Sequence, residues 1–413
     1  MDKLYDVIII GSGVVGNAIA REMSRYNLKI GVLEKELDVC NETSARNSGV
    51  LHAGFNNKPG TLMAKFCVEG NQGFDQVAKE LGVPFKRCGK LVVGFSEEDK
   101  EKLIAMKEQG EKNGVKGLEI IGKDKIKEIE PNIDGEFAMW SKTTGILNPF
   151  LLTIALAENA AANGAEYYFG NEVIDIKRVD DIYNIKTKKD TYKTRWVVNA
   201  AGLYSDRVSK MLGIDDYTIH PCRGEYFILD EKVGSKLSLP AYPVPNPKEG
   251  GLGIHLTPTI DGNVFIGPSS EYIDERDDYS ATQKIMDLLI KDGGRIFPHI
   301  RREDFIRNFA GIRPKLASKE EGGYHDFVIE MRDKSPNTIN LVGIESPGLT
   351  SSTPIAKYVV SLLKQKEELT ENENFNPIRK PIVTFNDKSV EEKEALIKEN
   401  PDYGEVICRC QTI

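Results

Sequence analysis

Tyr5-Asp6-Val7-Ile8-Ile9-Ile10, then Gly11-Ser12-Gly13-Val14-Val15-Gly16, then Asn17 to Tyr26, then Lys29-Ile30-Gly31-Val32-Leu33-Glu34: this opening stretch decides the fold. The first apolar run fits a buried parallel strand. Helical spacing follows the glycines, with Ile19, Ala20 and Met23 on one face, and a second apolar run ends in an acid. Each glycine has a mechanical task. Gly11 permits a tight turn, Gly13 lets backbone approach a pyrophosphate, and Gly16 lets helix and strand pack closely. The helix N-terminus offers unpaired N–H groups and the positive end of its dipole to phosphates. Glu34 can accept hydrogen bonds from ribose hydroxyls, and an acid there disfavours a 2′-phosphate, so NADP is not expected. In this βαβ setting the segment reads as a dinucleotide site. The bland alternative is a glycine-rich turn in an ordinary α/β domain.

Working outward, 413 residues exceed one simple core and imply about two domains. The net charge of −8, with no basic stretch interleaved with aromatics, argues against nucleic-acid binding. The N-terminal apolar run lacks a cationic leader and a cleavage site, and no run of about 18 apolar residues could span a membrane. The six cysteines form no disulfide-like framework. Cys40, Cys67, Cys88 and Cys222 are expected to be reduced, which fits the cytoplasm, with contact at a membrane only through a partner.

Further along, Thr61–Leu81 and Pro149–Asn163 carry helical patterns, and Leu91–Phe95 is a strand. Glu97–Glu130 reads as a charged, mostly helical lobe away from the cofactor. Trp196-Val197-Val198-Asn199-Ala200-Ala201-Gly202 is a second buried strand ending in glycine, where Ala201 and Gly202 bring backbone to the dinucleotide. Gly224–Leu229, Gly253–Thr257 and Asn263–Gly267 alternate like antiparallel strands. Asn340–Ile344 is a late strand, and the turn Ser346-Pro347-Gly348-Leu349-Thr350 precedes a helix over Pro354–Leu363. The expected architecture is α/β plus α+β, a discontinuous Rossmann-type domain with an inserted antiparallel-sheet domain. The first takes residues 1–85, 140–215 and 330–365. The second takes 86–139 and 216–329, and an arm follows over 366–413.

These glycine-marked segments, in this order, resemble the D-amino-acid-oxidase-like superfamily of FAD enzymes over residues 1–365. Glycerol-3-phosphate oxidases and dehydrogenases and L-2-hydroxyglutarate dehydrogenases are the most similar groups. Asn41-Glu42-Thr43-Ser44-Ala45 through His52-Ala53-Gly54 is similar to both. Arg223-Gly224-Glu225-Tyr226-Phe227 and Gly253-Ile254-His255-Leu256-Thr257 look more like the hydroxyglutarate enzymes. The resemblance implies FAD as cofactor, with Gly11, Gly13, Gly16, Glu34, Ser44, Asn47, Ser48, Gly49, Ala201, Gly202, Gly348, Leu349 and Thr350 around it. Val406-Ile407-Cys408-Arg409-Cys410 resembles the opening of the small [2Fe–2S] domain at the C-terminus of the anaerobic glycerol-3-phosphate dehydrogenase A subunit. That cluster needs four thiolates. Cys408 and Cys410 supply two, so a cluster is expected only in a longer chain; a chance Cys-x-Cys is the alternative. No other metal site is visible.

A flavin accepts hydride at N5, so the protein must place a C–H bond over it and handle one proton. Histidine suits the proton. His255 is read as the base or a substrate-orienting group, and His52 as a flavin-side or substrate contact, with a covalent histidyl link a remoter option. Anionic substrates need guanidinium clamps, for which Arg223 and Arg313 are the candidates, with Tyr226 as a hydroxyl donor and Lys315 a weaker choice. The expected reaction is oxidation of a secondary alcohol on a small anionic metabolite. It takes sn-glycerol 3-phosphate to dihydroxyacetone phosphate, or L-2-hydroxyglutarate to 2-oxoglutarate, and electrons leave to a partner or carrier. The alternatives are an amine oxidoreductase of the same superfamily, a non-catalytic flavoprotein subunit, and, more weakly, a nicotinamide dehydrogenase.

Overall fold

The computed structural model describes residues 3–245, 253–381, 383, 385 and 388–407. Five strands form the parallel core of an eight-stranded sheet, in the spatial order Glu166–Tyr168, Ile30–Leu33, Leu4–Ile10, Thr191–Asn199, Ser335–Val342. The central runs Val7–Ile10, Ile30–Leu33 and Trp196–Val198 are apolar and buried because both faces are covered. One face packs on the helices Val14–Met23, Leu62–Leu81, Pro149–Ala162 and Gly348–Leu363 through Val7, Ile9, Phe66, Leu156 and Val359. The other packs Ile8 and Ile10 against Val208 and Leu212. The antiparallel strands Val173–Val179, Ile182–Thr187 and Val328–Arg332 complete the sheet.

The second sheet has nine strands and is mostly antiparallel, built on the long pair His220–Leu229 and Phe305–Lys315. Next to it come Val264–Gly267, His255–Pro258, Ala241–Pro243, Lys90–Gly94, Phe137–Ser141 and Leu118–Gly122. Strand alternation gives this sheet two unlike faces. Leu91, Ala241, Leu256, Ile266, Phe227 and Leu229 fill a core with Leu289, Ile296 and Phe297. The register puts Lys90, Tyr242, His255, Thr257, Tyr226 and Arg313 on the opposite face. The small sheet Val50–Leu51, Gly145–Leu147 and Phe85–Lys86 ties residues 50–51 to the rest of the chain.

Residues 97–130 are mostly helix, as expected, with the strand Leu118–Gly122 pairing along Phe137–Ser141 between the helices Glu97–Lys112 and Lys123–Ile129. Gln109 and Asn113 tie this stretch to the segment just beyond His52 by donating to the carbonyls of Phe55 and Gly54. One expectation changes: the helix read over Pro354–Leu363 starts at Gly348, and Pro354 is inside it.

Candidate active site

A cavity of about 460 Å³ lies outside the carboxyl ends of the parallel strands, where ligands bind in open α/β sheets. Each strand supplies its wall through the residues that follow it. Gly11 and Gly13 follow the first strand, Glu34 the second, Ala201 and Gly202 the strand ending at Asn199, and Gly348 and Leu349 the strand ending at Val342.

The glycines do what their spacing implies. Gly11 has φ +107°, and a Cβ there would lie 2.5 Å from the Ala200 carbonyl oxygen. A Cβ on Gly16 would lie 2.0 Å from the Gly11 oxygen, so Gly16 sets helix-to-loop packing and lies outside the cavity. Gly13 lines the cavity, and Ser44 Oγ accepts from the Val14 N–H at 2.9 Å, taking one free donor of the helix N-terminus. The Glu34 carboxylate accepts from Ser12 N–H at 2.7 Å and Glu36 N–H at 2.9 Å. Burial pushes its carboxyl up, against those two bonds.

Asn47 organises the next segment, donating to the Ser44 carbonyl at 2.7 Å and accepting from Gly49 N–H at 2.9 Å. Asn47 and Ser48 line the cavity; Gly49 faces a second, smaller one. Thr350 is behind the wall, where its Oγ1 accepts from the His52 N–H at 3.0 Å and ties the loop to the helix Gly348–Leu363. That helix begins at the cavity, where Gly348 and Leu349 line the wall and the Gly348 N–H is taken by the Glu345 carbonyl at 2.6 Å.

The second sheet closes the far end. His52, Tyr226 and Arg313 line the cavity together. Arg313 donates to the Ser269 carbonyl at 2.7 Å and to Cys222 Sγ at 3.3 Å, and no carboxylate pairs with it among the described residues. Burial, then the nearby Lys90 ammonium, push the His52 imidazole down to about 3. His255 is fully enclosed beside these groups. Its Nδ1 lies 2.9 Å from the Gly253 carbonyl, so Nδ1 carries the proton and Nε2 presents a bare lone pair. His255 Nε2, Tyr242 Oη, Thr257 Oγ1 and Lys90 Nζ are buried with no hydrogen-bond partner among the described residues. Buried polar groups are rarely left so unless a ligand completes them.

Arg223 is corrected. Cys222, Gly224 and Tyr226 share the site face, and alternation turns Arg223 and Glu225 to the other. Its two terminal nitrogens are taken by Asp278, by Ser280 at 2.6 Å and by Glu271 at 2.7 Å, and Arg223 does not line the cavity. Lys315 is likewise taken, by Glu345 at 3.1 Å. Lys90 and Tyr242 escaped the sequence reading. The one available signal was a lysine abutting an apolar run, Leu91-Val92-Val93, buried on both faces. Cys408 and Cys410 lie outside the described residues.

The FAD-dependent oxidoreductase family, DAO, matches residues 6–362. The chain belongs to this family. Among relatives of this flavoprotein, glycerol 3-phosphate dehydrogenase of Caloramator mitchellensis is 41% identical over 99% of this chain and 84% of its own. Human mitochondrial L-2-hydroxyglutarate dehydrogenase is 30% identical over 88% of this chain and 90% of its own. Among solved structures, FAD-bound L-alpha-glycerophosphate oxidase of Mycoplasma pneumoniae superposes with TM-score 0.85 at 29% identity, covering 92% of this chain and 100% of that one. The flavoprotein uses FAD, and the residues fit it: glycine-opened backbone at Gly11 and Gly13 would admit a pyrophosphate, Glu34 would accept from a ribose, and the helix starting at Gly348 opens on the same cavity. No helix among the described residues is long and apolar enough to cross a membrane.

Proposed function

We propose that this flavoprotein oxidises the secondary alcohol of a small anion, with sn-glycerol 3-phosphate as donor and dihydroxyacetone phosphate as product. One observation carries the reading: Arg313, with no carboxylate partner among the described residues, lines the cavity beside His52 and Tyr226, and His255 is buried next to them with Nδ1 held by the Gly253 carbonyl and Nε2 unpartnered. Arg313 holds the anion in a bidentate fork, and Tyr226 adds a hydroxyl. His255 Nε2 takes the hydroxyl proton. His52, kept neutral by its surroundings, stands as a second contact. Bound FAD supplies the hydride acceptor. The first sheet with its helices holds the cofactor, and the second presents the substrate-facing side chains. Electrons then pass to a carrier or partner. The relative named for glycerol 3-phosphate, at 41% identity over almost the whole chain, supports this donor. L-2-Hydroxyglutarate is the second reading, supported by relatives of 30–32% identity that bear its name.

The test is an anaerobic absorbance titration of purified holoprotein with each compound in turn. Bleaching of the flavin band by glycerol 3-phosphate alone is the expected result. Bleaching by L-2-hydroxyglutarate alone moves the assignment to the hydroxy acid. A band unmoved by both overturns the alcohol reading and points to amines or a non-catalytic subunit.

A further inference from the structure

The site face of the second sheet carries a stack that the steps above leave unused. Lys90 Nζ lies 3.3 Å from the centroid of the Tyr242 ring. The His255 ring lies 3.6 Å from the same centroid, tilted by only 10°. At those spacings both cannot occupy one face of the phenol, so Tyr242 is sandwiched between an ammonium and an imidazole. The register produces this: Leu91 pairs with Ala241 and Ala241 with Leu256, so Lys90, Tyr242 and His255 project to one side. Lys90 is fully buried, and among the described residues its Nζ has neither a hydrogen-bond partner nor a carboxylate. The titratable groups around it are Tyr242, His52, His255 and Cys67, none of them acidic enough to neutralise it. The faces of Tyr242 and, at 5.2 Å, Phe55 offset part of the cost of burying it. An uncompensated cation is an expensive object to keep unless its field is used.

We propose that Lys90 is a positioning residue for the alcohol oxidation, acting through Tyr242 to hold His255 as an oriented, unprotonated base. The proposal rests on the reading of His255 as acceptor of the hydroxyl proton. The stack fixes the plane of the imidazole, and the Gly253 carbonyl fixes its rotation and tautomer. The charge on Lys90 then opposes protonation of Nε2 from solvent. Burial first, and the Lys90 ammonium second, hold His255 well below the ordinary histidine range. Burial pushes Lys90 itself down to about 7, so it is charged on the acidic side, where a free imidazole would otherwise be quenched. The step balances: the O–H proton goes to Nε2, the C–H electron pair leaves as hydride to FAD, and the alcohol becomes a carbonyl.

The experiment is anaerobic stopped-flow reduction of the holoenzyme flavin by the alcohol that bleaches it, from pH 5 to 9. Lys90→Met should move the acid limb of the reduction rate to higher pH by about one unit or more, with FAD content unchanged. Lys90→Arg should retain the wild-type limb, as should Tyr242→Phe, which keeps the stack. Tyr242→Leu should move the limb as Lys90→Met does, and it carries the test if Lys90→Met does not fold. A limb that stays in place in Lys90→Met or Tyr242→Leu, or a rate lost equally at every pH, overturns the proposal. A wild-type flavin that neither alcohol bleaches is a different result; it overturns the substrate reading and this inference with it.

Discussion

Two arginines in adjacent motifs came out with opposite fates, and the difference is one of parity. Arg313 lines the cavity without a carboxylate partner, whereas Arg223 is enclosed by Asp278 and Glu271. Arg313→Met is therefore expected to raise KM for the anionic donor about 30- to 5,000-fold, the range for truncating a buried charge contact, with FAD still bound. Arg223→Met should lower Tm and leave KM unchanged; steady-state kinetics beside a thermal melt separates the two. His52 gives a pH prediction. Its folded-state value of about 3 lies below that of an unfolded histidine, so the unfolded chain binds the extra proton. The stability held above about pH 6.5 is lost as pH falls toward 3. His52→Asn should flatten the decline of Tm across that window, as followed by melts at stepped pH. Candidates fixed by spacing within one segment, such as Gly11, Gly13, Ser44, Ser48 and Gly348, line the cavity, as do His52, Tyr226 and Arg313. Arg223 misled because a strand pattern gives alternation without saying which face meets the ligand.

At the level of elements, the opening βαβ unit was legible because glycine spacing, apolar period and the terminal acid agree. The stack of Lys90 on Tyr242 was not. It depends on Lys90–Gly94 pairing in parallel with Ala241–Pro243, a register between segments some 150 residues apart that no local pattern encodes. The join between the two sheets was equally hidden. Gly311, in the strand Phe305–Lys315, is pressed against the flavin-side loop, and a Cβ there would lie 2.1 Å from the Arg46 carbonyl oxygen. Gly311→Ala must push that loop toward the cofactor. The expected cost is about 1–3 kcal/mol of stability together with weaker FAD retention. Denaturation and flavin-release measurements check it; wild-type values for both would show that the loop yields freely.

Across the whole molecule, the arm beyond residue 365 is part of the fold that holds the cofactor. Thr370 and Asn372 bond the backbone of Asn27 and Arg25, and Pro377 accepts from Arg21. The Arg379 side chain donates to Glu158 at 2.5 Å and its N–H to the Glu80 carbonyl at 2.9 Å. The arm thus spans three helices of the first sheet. Arg379→Met should speed hydrogen exchange and proteolysis over residues 369–381 while flavin content and substrate reduction stay as in the wild type. Loss of flavin in that variant would mean that the arm braces the cofactor site itself. The division between the sheets has a further consequence, for descent. Apart from His52, the groups proposed to meet the reacting carbon stand on one face of the second sheet, at alternate positions of a few strands, while the groups proposed to grip the dinucleotide belong to loops of the first. A lineage built on this plan can exchange one oxidisable metabolite for another through a handful of replacements on that face, and its grip on the flavin is inherited unchanged.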